Sequence, residues 1–232
     1  MPTGKKKTVA AAPWSYSKIK DFKTCPRQFH AKYVENRFPF VETEATREGK
    51  KFHKVAEDHI RIGAPIPRKM KVPGAWVEKV AKMRGDVRGE QKLALNAKLQ
   101  PCQYFGDDVW LRGQVDAQVE RLDDSEVLIF DWKTGSAKYP DTDQLELMAL
   151  LAFARWTEVD TVRAALVFNN HNVVVKETYH REDMRDLWGK WIAEFKQMDK
   201  AFKEDRWEPN QNGLCKEYCG VTECEFNGKY EG

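Results

Sequence analysis

The sequence predicts an α/β chain of the α+β class, in which a central mixed sheet is flanked by helices. Segments in the middle of the chain alternate apolar and polar residues with a period of two, which is typical of half-buried strands. Segments on either side repeat apolar residues every three or four positions, which is typical of amphipathic helices. With 232 residues and neither an internal repeat nor a long linker, the chain is expected to form one packed domain with appendages.

Helices are predicted in the first third of the chain. Pro26 cannot occupy a helix interior, so the apolar-periodic stretch 14–34 should divide near Thr24 into two helices, with Pro26 opening the second. The stretch 46–62 predicts an amphipathic helix that ends at Gly63. A short helix at 76–83 follows a loop that is rich in proline and lysine.

Strands and helices then alternate. Three segments separated by short polar turns predict an antiparallel meander, at 90–104, 109–122 and 126–134. The segment 141–156 is apolar nearly all round, which predicts a buried helix packed on the sheet. Two further strands, at 159–169 and 172–179, and a long helix at 180–202 complete the pattern.

Asp116, Asp131 and Lys133 form the first candidate site. Asp131 and Lys133 share one face at the end of an apolar strand, because successive side chains of a strand alternate between its faces. Two carboxylates and an ammonium group at the end of a hairpin suit a divalent-cation site that hydrolyses phosphodiesters, since Mg²⁺ prefers oxygen ligands. An Asp-x-Lys sequence alone is more often a solvated strand edge. The Gly113-x-x-Asp116 strand immediately upstream favours the metal site.

These residues belong to a larger set of motifs in a fixed order. The set resembles the PD-(D/E)XK nuclease superfamily, and within it the RecB/AddB-like and CRISPR-associated exonuclease branch. The resemblance extends from about residue 14 to residue 226. The matching motifs are Ser15-Tyr16-Ser17, Cys25-Pro26-Arg27 with Tyr33, Gly49-x-x-x-His53, Gly113-x-x-Asp116, Asp131-x-Lys133-Thr134-Gly135, Gln144 and a C-terminal cysteine group.

The resemblance implies a restriction-endonuclease-like αβββαβ core with a metal site at its centre. In this interpretation Asp116 and Asp131 bind Mg²⁺ or Mn²⁺. The imidazole of His53 and the backbone carbonyl of Trp132 complete the ligand shell.

The resemblance also assigns supporting roles. Lys133 would position or help to deprotonate the attacking water. Gln144, in the first turn of the following helix, would support the metals or the scissile strand. The branch commonly carries a tyrosine four residues after this glutamine, where the present chain has Met148.

Four cysteines form the second candidate site. Cys215, Cys219 and Cys224 have the spacing C-x₃-C-x₄-C, and Cys25 adds a fourth thiolate, which is enough for a closed iron–sulfur or zinc site. The resembling family uses the same one-plus-three arrangement for a [4Fe–4S] cluster, usually as C-x₂-C-x₅-C. The shifted middle ligand leaves a [4Fe–4S] cluster, zinc and an unmetallated tail as alternatives. Cys102 is interpreted as a cysteine that does not belong to this site.

Composition gives weaker indications. The formal net charge of +3 predicts no strong global field, and no apolar run approaches membrane-spanning length. The apolar stretch near the start is too short for a secretory signal, and ligand-like cysteine spacing indicates a reducing cytoplasm, bacterial or phage-infected. The expected organisation is a disordered basic tail at 1–13, a nuclease domain at 14–204 and a cysteine-rich segment at 205–232 that packs back on the N-terminal helices.

The preferred hypothesis is a Mg²⁺- or Mn²⁺-dependent DNA nuclease, an exonuclease acting on DNA ends or single strands in phage or bacterial recombination, replication or repair. A non-catalytic DNA-binding or adaptor subunit of a recombination or CRISPR-adaptation complex is one alternative. A structure-specific endonuclease is another. Recombination or replication proteins are compatible partners, and no membrane is expected. Residues expected to contact DNA are Lys18, Lys20, Arg27, Lys138 and Tyr139.

Overall fold

The computed structural model describes residues 13–230 of the chain. The predicted basic tail therefore lies almost entirely outside the described residues. In chain order the elements are α1 Tyr16–Thr24, α2 Pro26–Phe29, α3 Glu44–Ile62, α4 Lys71–Ala81, β1 Asp86–Asn96, β2 Val109–Arg121, β3 Glu126–Lys133, α5 Asp143–Arg155, β4 Thr161–Phe168, β5 Val173–His180 and α6 Met184–Glu204.

The five strands form one mixed sheet in the order β1-β2-β3-β4-β5. Neighbouring strands are antiparallel except β3 and β4, which run parallel and are joined through α5. A parallel pair needs such a crossover, because a tight turn cannot return the chain to the starting edge. The succession α3, β1-β2-β3, α5, β4 is the αβββαβ core, so the predicted fold class is confirmed.

The described residues divide into two compact units, one of which is Glu42–Gly189 and contains the whole sheet. Helices α3 and α4 contribute to a buried apolar cluster with residues of the sheet, including Phe52, Val77, Ala117, Phe130 and Trp132. Helix α5 is buried on nearly every side, as its sequence predicts. Packing of this kind fixes the first turn of α5 against the sheet, where the candidate site lies.

Several helix boundaries differ from the prediction. Helix α4 spans Lys71–Ala81 rather than 76–83, because Pro73 falls in its first turn, where a proline is tolerated. Two other differences have local reasons. Helix α3 begins at Glu44, two residues early, because Thr43 and Thr46 form a capping box that satisfies the first backbone N–H groups. It ends, as predicted, at Gly63, which adopts a left-handed conformation with φ 68°. Helix α6 begins at Met184 rather than at residue 180, because residues 181–183 form a separate 3₁₀ turn.

The first strand was predicted at 90–104 and this boundary is wrong. Strand β1 begins at Asp86 and ends at Asn96, whose side-chain oxygen accepts hydrogen bonds from the backbone N–H groups of Lys98 and Gln100. Leu99 in this turn has a positive φ of 60°. A turn fastened by an asparagine side chain ends the strand. In a sequence, asparagine is a weaker signal of a turn than glycine or proline.

The second unit comprises residues 13–41 and 190–230. Its core is aromatic: the rings of Phe22, Phe29, Phe202 and Trp207 lie 4.8–6.4 Å apart between centroids. Between residues 206 and 230 the described chain contains turns and no helix or strand. The domain boundary predicted at residue 204 stays a prediction.

None of the helices that the structure describes combines the length and the hydrophobicity needed to span a membrane.

Candidate active site

Asp116 and Asp131 lie next to the end of the β2–β3 ladder. The ladder ends with the pair Ala117 and Phe130, so the two acids follow on adjacent strands. Just beyond the last pair, Oδ2 of Asp116 accepts a hydrogen bond from the backbone N–H of Trp132, with an N···O distance of 2.7 Å. The carboxylate therefore takes the place of a backbone acceptor and joins the two strands at the site.

His53 reaches the same carboxylate from α3. Its Nδ1 lies 3.0 Å from Oδ1 of Asp116, so the two oxygens of this carboxylate have different partners. Burial alone would lower the pKa of His53, but the hydrogen bond with Asp116 and its charge outweigh burial and raise the pKa. The imidazole remains 40% exposed and accessible from outside.

A closed ring of contacts joins Asp131, Lys133 and Gln144. The amide Nε2 of Gln144 donates to Oδ1 of Asp131 at 2.8 Å, and its Oε1 accepts from Nζ of Lys133 at 2.9 Å. Nζ of Lys133 also lies 2.6 Å from Oδ2 of Asp131, as an ion pair. Oδ2 is buried, and apart from this ion pair it receives no hydrogen bond from the described residues.

Asp131 carries a charge that its surroundings stabilise poorly. Burial, and next the negative charge of Asp116, raise its pKa from 3.8 to about 6, although Lys133 and His53 act in the opposite direction. Its side chain is only 7% exposed. A positive ion placed between the two carboxylates would relieve both causes of the shift.

The donor set suits a hard divalent cation. It combines two carboxylates, one of which presents a buried oxygen without a hydrogen-bond donor, with an imidazole beside them. In the arrangement seen for residues 13–230, no three His, Cys, Asp or Glu side chains already form a group that could hold a metal ion. Nζ of Lys133 lies beside the oxygen of Asp131 that a cation would use.

A hollow of about 380 Å³ begins immediately after β3. Thr134 and Gly135, which follow Lys133, line one side of it, and Gly49 and Phe52 of α3 line another. A Cβ atom on Gly49 would lie 3.3 Å from Oγ1 of Thr134, so α3 and the strand end approach closely here. The hollow thus borders the candidate site at the position of the Asp-x-Lys-Thr-Gly motif.

Comparison with known families decides the assignment. A family model described as the PD-(D/E)XK nuclease superfamily matches residues 13–224. The chain belongs to this superfamily. Members of the PD-(D/E)XK superfamily are typically hydrolytic nucleases that use Mg²⁺ or Mn²⁺ and act on DNA.

Comparisons with individual proteins add little. The crystal structure of SSO0001 is 13% identical in sequence, and the similarity covers 93% of this chain and 87% of that one, with a TM-score of 0.46. At this level the likeness carries no argument about the present chain. None of the curated proteins matches it.

Five of the predicted site residues of this PD-(D/E)XK chain contact one another in two groups, His53 with Asp116 and Asp131 with Lys133 and Gln144. Trp132 adjoins them through its backbone N–H. Neighbouring residues on α3 have other partners: Glu57 pairs with Lys54 and Arg61, and Nδ1 of His59 lies 2.8 Å from the carbonyl of Ala64.

The residues predicted to contact DNA are dispersed. Lys18, Lys20 and Arg27 belong to the unit without the sheet, where Nζ of Lys18 donates to the carbonyl of Pro13 and Arg27 pairs with Glu225. Lys138 and Tyr139 follow β3, and Tyr139 is 81% exposed. Nζ of Lys138 lies 5.1 Å from the centroid of the Tyr139 ring.

Sequence reasoning missed two residues that shape the site. The side chain of Asn170 donates to the carbonyl of Thr134 at 2.9 Å and so fixes the strand end. Gly49 was noted only as part of a motif, whereas a Cβ atom at this position would lie 3.3 Å from Oγ1 of Thr134, so side-chain bulk is limited there. Neither contact has a sequence signal, because each joins segments that are far apart in the chain.

The cysteines predicted to bind a cluster lie in the other unit, and all are free thiols. Backbone N–H groups point at two sulfurs: Asn210 N lies 3.5 Å from Sγ of Cys25, and Asn212 N lies 3.4 Å from Sγ of Cys215. Cys224 is buried beside Cys219 in a small apolar cluster. In the described part of the chain these thiols do not already form a group that could hold a metal ion.

Proposed function

We propose that this chain is a divalent-metal-dependent DNA nuclease that works as an exonuclease on DNA ends or single strands. The observation that supports it most directly is the ring of contacts joining Asp131, Lys133 and Gln144, which lies beside the pair formed by Asp116 and His53. A binding module has no physical need for a lysine held against a buried carboxylate.

In the proposed mechanism Asp116 and Asp131 hold the metal, with His53 and the carbonyl of Trp132 as further ligands. When bound, a divalent cation supplies Lewis-acid stabilisation of phosphoryl charge and lowers the pKa of a bound water. Lys133 orients the attacking water. Its positive charge stabilises the negative charge that develops on the reacting oxygens. The water oxygen forms a bond to phosphorus and loses a proton to solvent, while the bond between phosphorus and the sugar oxygen of the leaving strand breaks and that oxygen takes up a proton from solvent.

Gln144 is a positioning residue in this mechanism. Its amide holds Asp131 and Lys133 at the same time, so both groups keep their orientation while a substrate enters. The side chain sits on a helix that is buried nearly all round, which restricts its movement.

The hollow beside Thr134 supports an end-directed activity. Its volume of about 380 Å³ is in the range of small-molecule sites, and its lining includes Phe52 and Met70, which can contact a nucleobase. We propose that one nucleotide next to the scissile phosphate occupies it. Gly49→Leu would fill part of the hollow and should raise KM more than it lowers kcat.

The test compares linear with covalently closed circular DNA in the presence of Mg²⁺. The proposal expects release of nucleotides or short fragments from linear DNA only, and loss of this activity in Asp131→Ala. Activity that survives Asp131→Ala would contradict the metal-nuclease assignment. Cutting of closed circles would indicate the endonuclease alternative, and DNA binding without any hydrolysis would indicate the adaptor alternative.

Membership of the RecB/AddB-like and CRISPR-associated branch, with a role in phage or bacterial recombination, replication or repair, is part of the same proposal. It is supported by the order of the motifs. We further propose that Cys25, Cys215, Cys219 and Cys224 hold a [4Fe–4S] cluster, with zinc as the alternative. The two N–H···S contacts support it, since such bonds stabilise metal-bound thiolates.

The cysteine proposal has a direct test. Anaerobically purified protein should be brown, with about four iron atoms per chain, and Cys224→Ser should lose colour and iron. Stoichiometric zinc without colour would indicate the zinc alternative, and absence of both metals would overturn the proposal.

A further inference from the structure

Two aromatic rings are displayed on the long connection between β1 and β2. The centroids of Tyr104 and Phe105 lie 4.9 Å apart with an interplanar angle of 81°. Phe105 is 77% exposed, although a phenylalanine at a surface contributes nothing to a core. This pair has no role in the metal site described above.

Two cations from the sheet lie over these rings. Nζ of Lys92 is 5.8 Å from the centroid of Tyr104 and 5.3 Å from that of Phe105, and Cζ of Arg112 is 5.1 Å from that of Tyr104. Among the described residues, neither cation forms an ion pair with a carboxylate. The positive charge is therefore available to an incoming anion, and the cation–π contacts hold it beside the rings.

A hollow of about 350 Å³ adjoins this surface and shares Lys92 with it. Arg155 and Gln103 also line the hollow, and its described lining contains no carboxylate. Cys102 lines it too, and burial together with the charge of Asp108 raises the pKa of this thiol, so it stays neutral. The rest of the lining is apolar, namely Leu93, Ala94, Pro101 and Leu151. Two cations beside an apolar concave surface favour a ligand that carries both phosphates and bases.

We propose that Lys92, Tyr104, Phe105 and Arg112 form a binding platform for single-stranded nucleic acid. Bases stack on the two rings, and phosphates lie against the two cations, which is the combination used by proteins that bind single strands without sequence preference. This inference deepens the proposed nuclease function and rests on it for the identity of the ligand.

The platform is close to the metal site along the chain. Arg112 precedes Asp116 by four residues on β2, which corresponds to roughly 13 Å at the usual rise of a strand. A strand held on the platform therefore extends over only a few nucleotides before it reaches the carboxylates. The platform keeps the substrate bound between successive cleavages.

The test measures binding of a fluorescein-labelled oligothymidine to the full chain by anisotropy, with Ca²⁺ in place of Mg²⁺ so that the substrate stays intact. Phe105→Leu should weaken binding by at least about fivefold, because loss of one stacked base corresponds to 1–3 kcal/mol. Phe105→Trp keeps an aromatic face and should bind at least as tightly as the wild type. Equal affinity of all three proteins would overturn the proposal.

The salt dependence of binding tests the cations separately. Arg112→Gln should reduce the slope of log K against log salt concentration by about 0.7, the value expected for one phosphate contact on a single strand. Lys98→Gln is the matched control, because Lys98 is an exposed cation in the same connection without a ring contact. A slope that changes equally in both variants would contradict a localised platform.

Hydrolysis of a dinucleotide separates this inference from the proposed function. A dinucleotide is too short to span from platform to metal site, so the platform variants should cleave it like the wild type. If single strands bind through the platform but nothing is hydrolysed, the platform stands and the nuclease assignment fails. If hydrolysis is normal but Phe105→Leu leaves binding and processive degradation unchanged, the platform fails and the nuclease assignment stands.

Discussion

Nζ of Lys133 lies 2.6 Å from Oδ2 of Asp131, two residues earlier on the same strand. Alternation along β3 puts both side chains on one face, and Gln144 binds each of them from α5. A lysine in this position partly neutralises a buried carboxylate, and in the proposed function its ammonium group acts on the attacking water.

Lys133→Met should abolish most of the activity while leaving the fold intact. We expect kcat to fall by about 10²–10³-fold, the range seen when a group that stabilises transition-state charge is removed. Lys176→Met is the control, because Lys176 is an exposed lysine on β5 that has no part in the proposed site. The measurement is nucleotide release at saturating Mg²⁺, and similar losses in both variants would contradict a specific role for Lys133.

Asp131→Asn should stabilise the protein in EDTA while it inactivates the enzyme. The pKa of Asp131 in the folded chain is raised to about 6, so the folded state binds a proton more tightly than the unfolded state. Stability is therefore lost as pH rises from about 4 to about 6, and this cost persists above that window. At pH 8 the asparagine variant should be more stable by on the order of 1–3 kcal/mol.

Thermal unfolding at several pH values checks this expectation. The difference in melting temperature between the two proteins should be small at pH 4 and should grow up to about pH 7. A wild type that is the more stable protein at pH 8 in EDTA would show that Asp131 is satisfied by Lys133 and Gln144 alone.

His53→Gln should weaken metal affinity more than it lowers the maximal rate. His53 contacts Oδ1 of Asp116 and borders the metal site, so we expect an affinity loss of about 10–100-fold that a higher Mn²⁺ concentration largely restores. His59→Gln serves as the control on the same helix, because His59 contacts the carbonyl of Ala64 instead. Titration of activity with Mn²⁺ makes the comparison, and a rate that Mn²⁺ fails to restore would speak against a ligand role.

Gly113→Ala should destabilise the protein through the helix that carries Gln144. An added Cβ would lie 2.7 Å from Cδ1 of Leu151, which is buried in α5, and such overpacking costs about 1–3 kcal/mol. Adding Leu151→Ala makes room, so the double variant should lose less than the sum of the single losses. Gly189→Ala, in α6 and with open space around its Cβ, should instead be neutral or gain up to about 1 kcal/mol. Urea denaturation gives the free energy of unfolding of the wild type, the two single variants Gly113→Ala and Leu151→Ala, the double variant and Gly189→Ala.

Much of the architecture could be predicted because local patterns agree with the fold. The apolar surround of α5 indicated a buried helix, and Gly63 marked the end of α3. The end of β1 was missed because it depends on the side chain of Asn96, which fastens a turn without glycine or proline.

In the candidate site, too, some residues could be predicted from the sequence and others could not. Asp116, Asp131, Lys133 and Gln144 have recognisable spacing, so they could be selected as candidates from the sequence. The contacts of Asn170 with Thr134, and of Lys92 with Phe105, depend on which distant segments the fold brings together. Single-sequence patterns carry no information about such pairs.

The hydrogen bond from Trp132 to Asp116 has a consequence for judging whether any protein with this fold is still an enzyme. One oxygen of Asp116 accepts the backbone N–H of Trp132 where the β2–β3 ladder ends. This hydrogen bond stabilises the sheet independently of any catalytic role of the aspartate. A degenerate paralogue that had ceased to cut would keep that aspartate for mechanical reasons. The lysine at position 133 and the glutamine at position 144 do not join two strands in this way, and their loss is the better sign of an inactive enzyme.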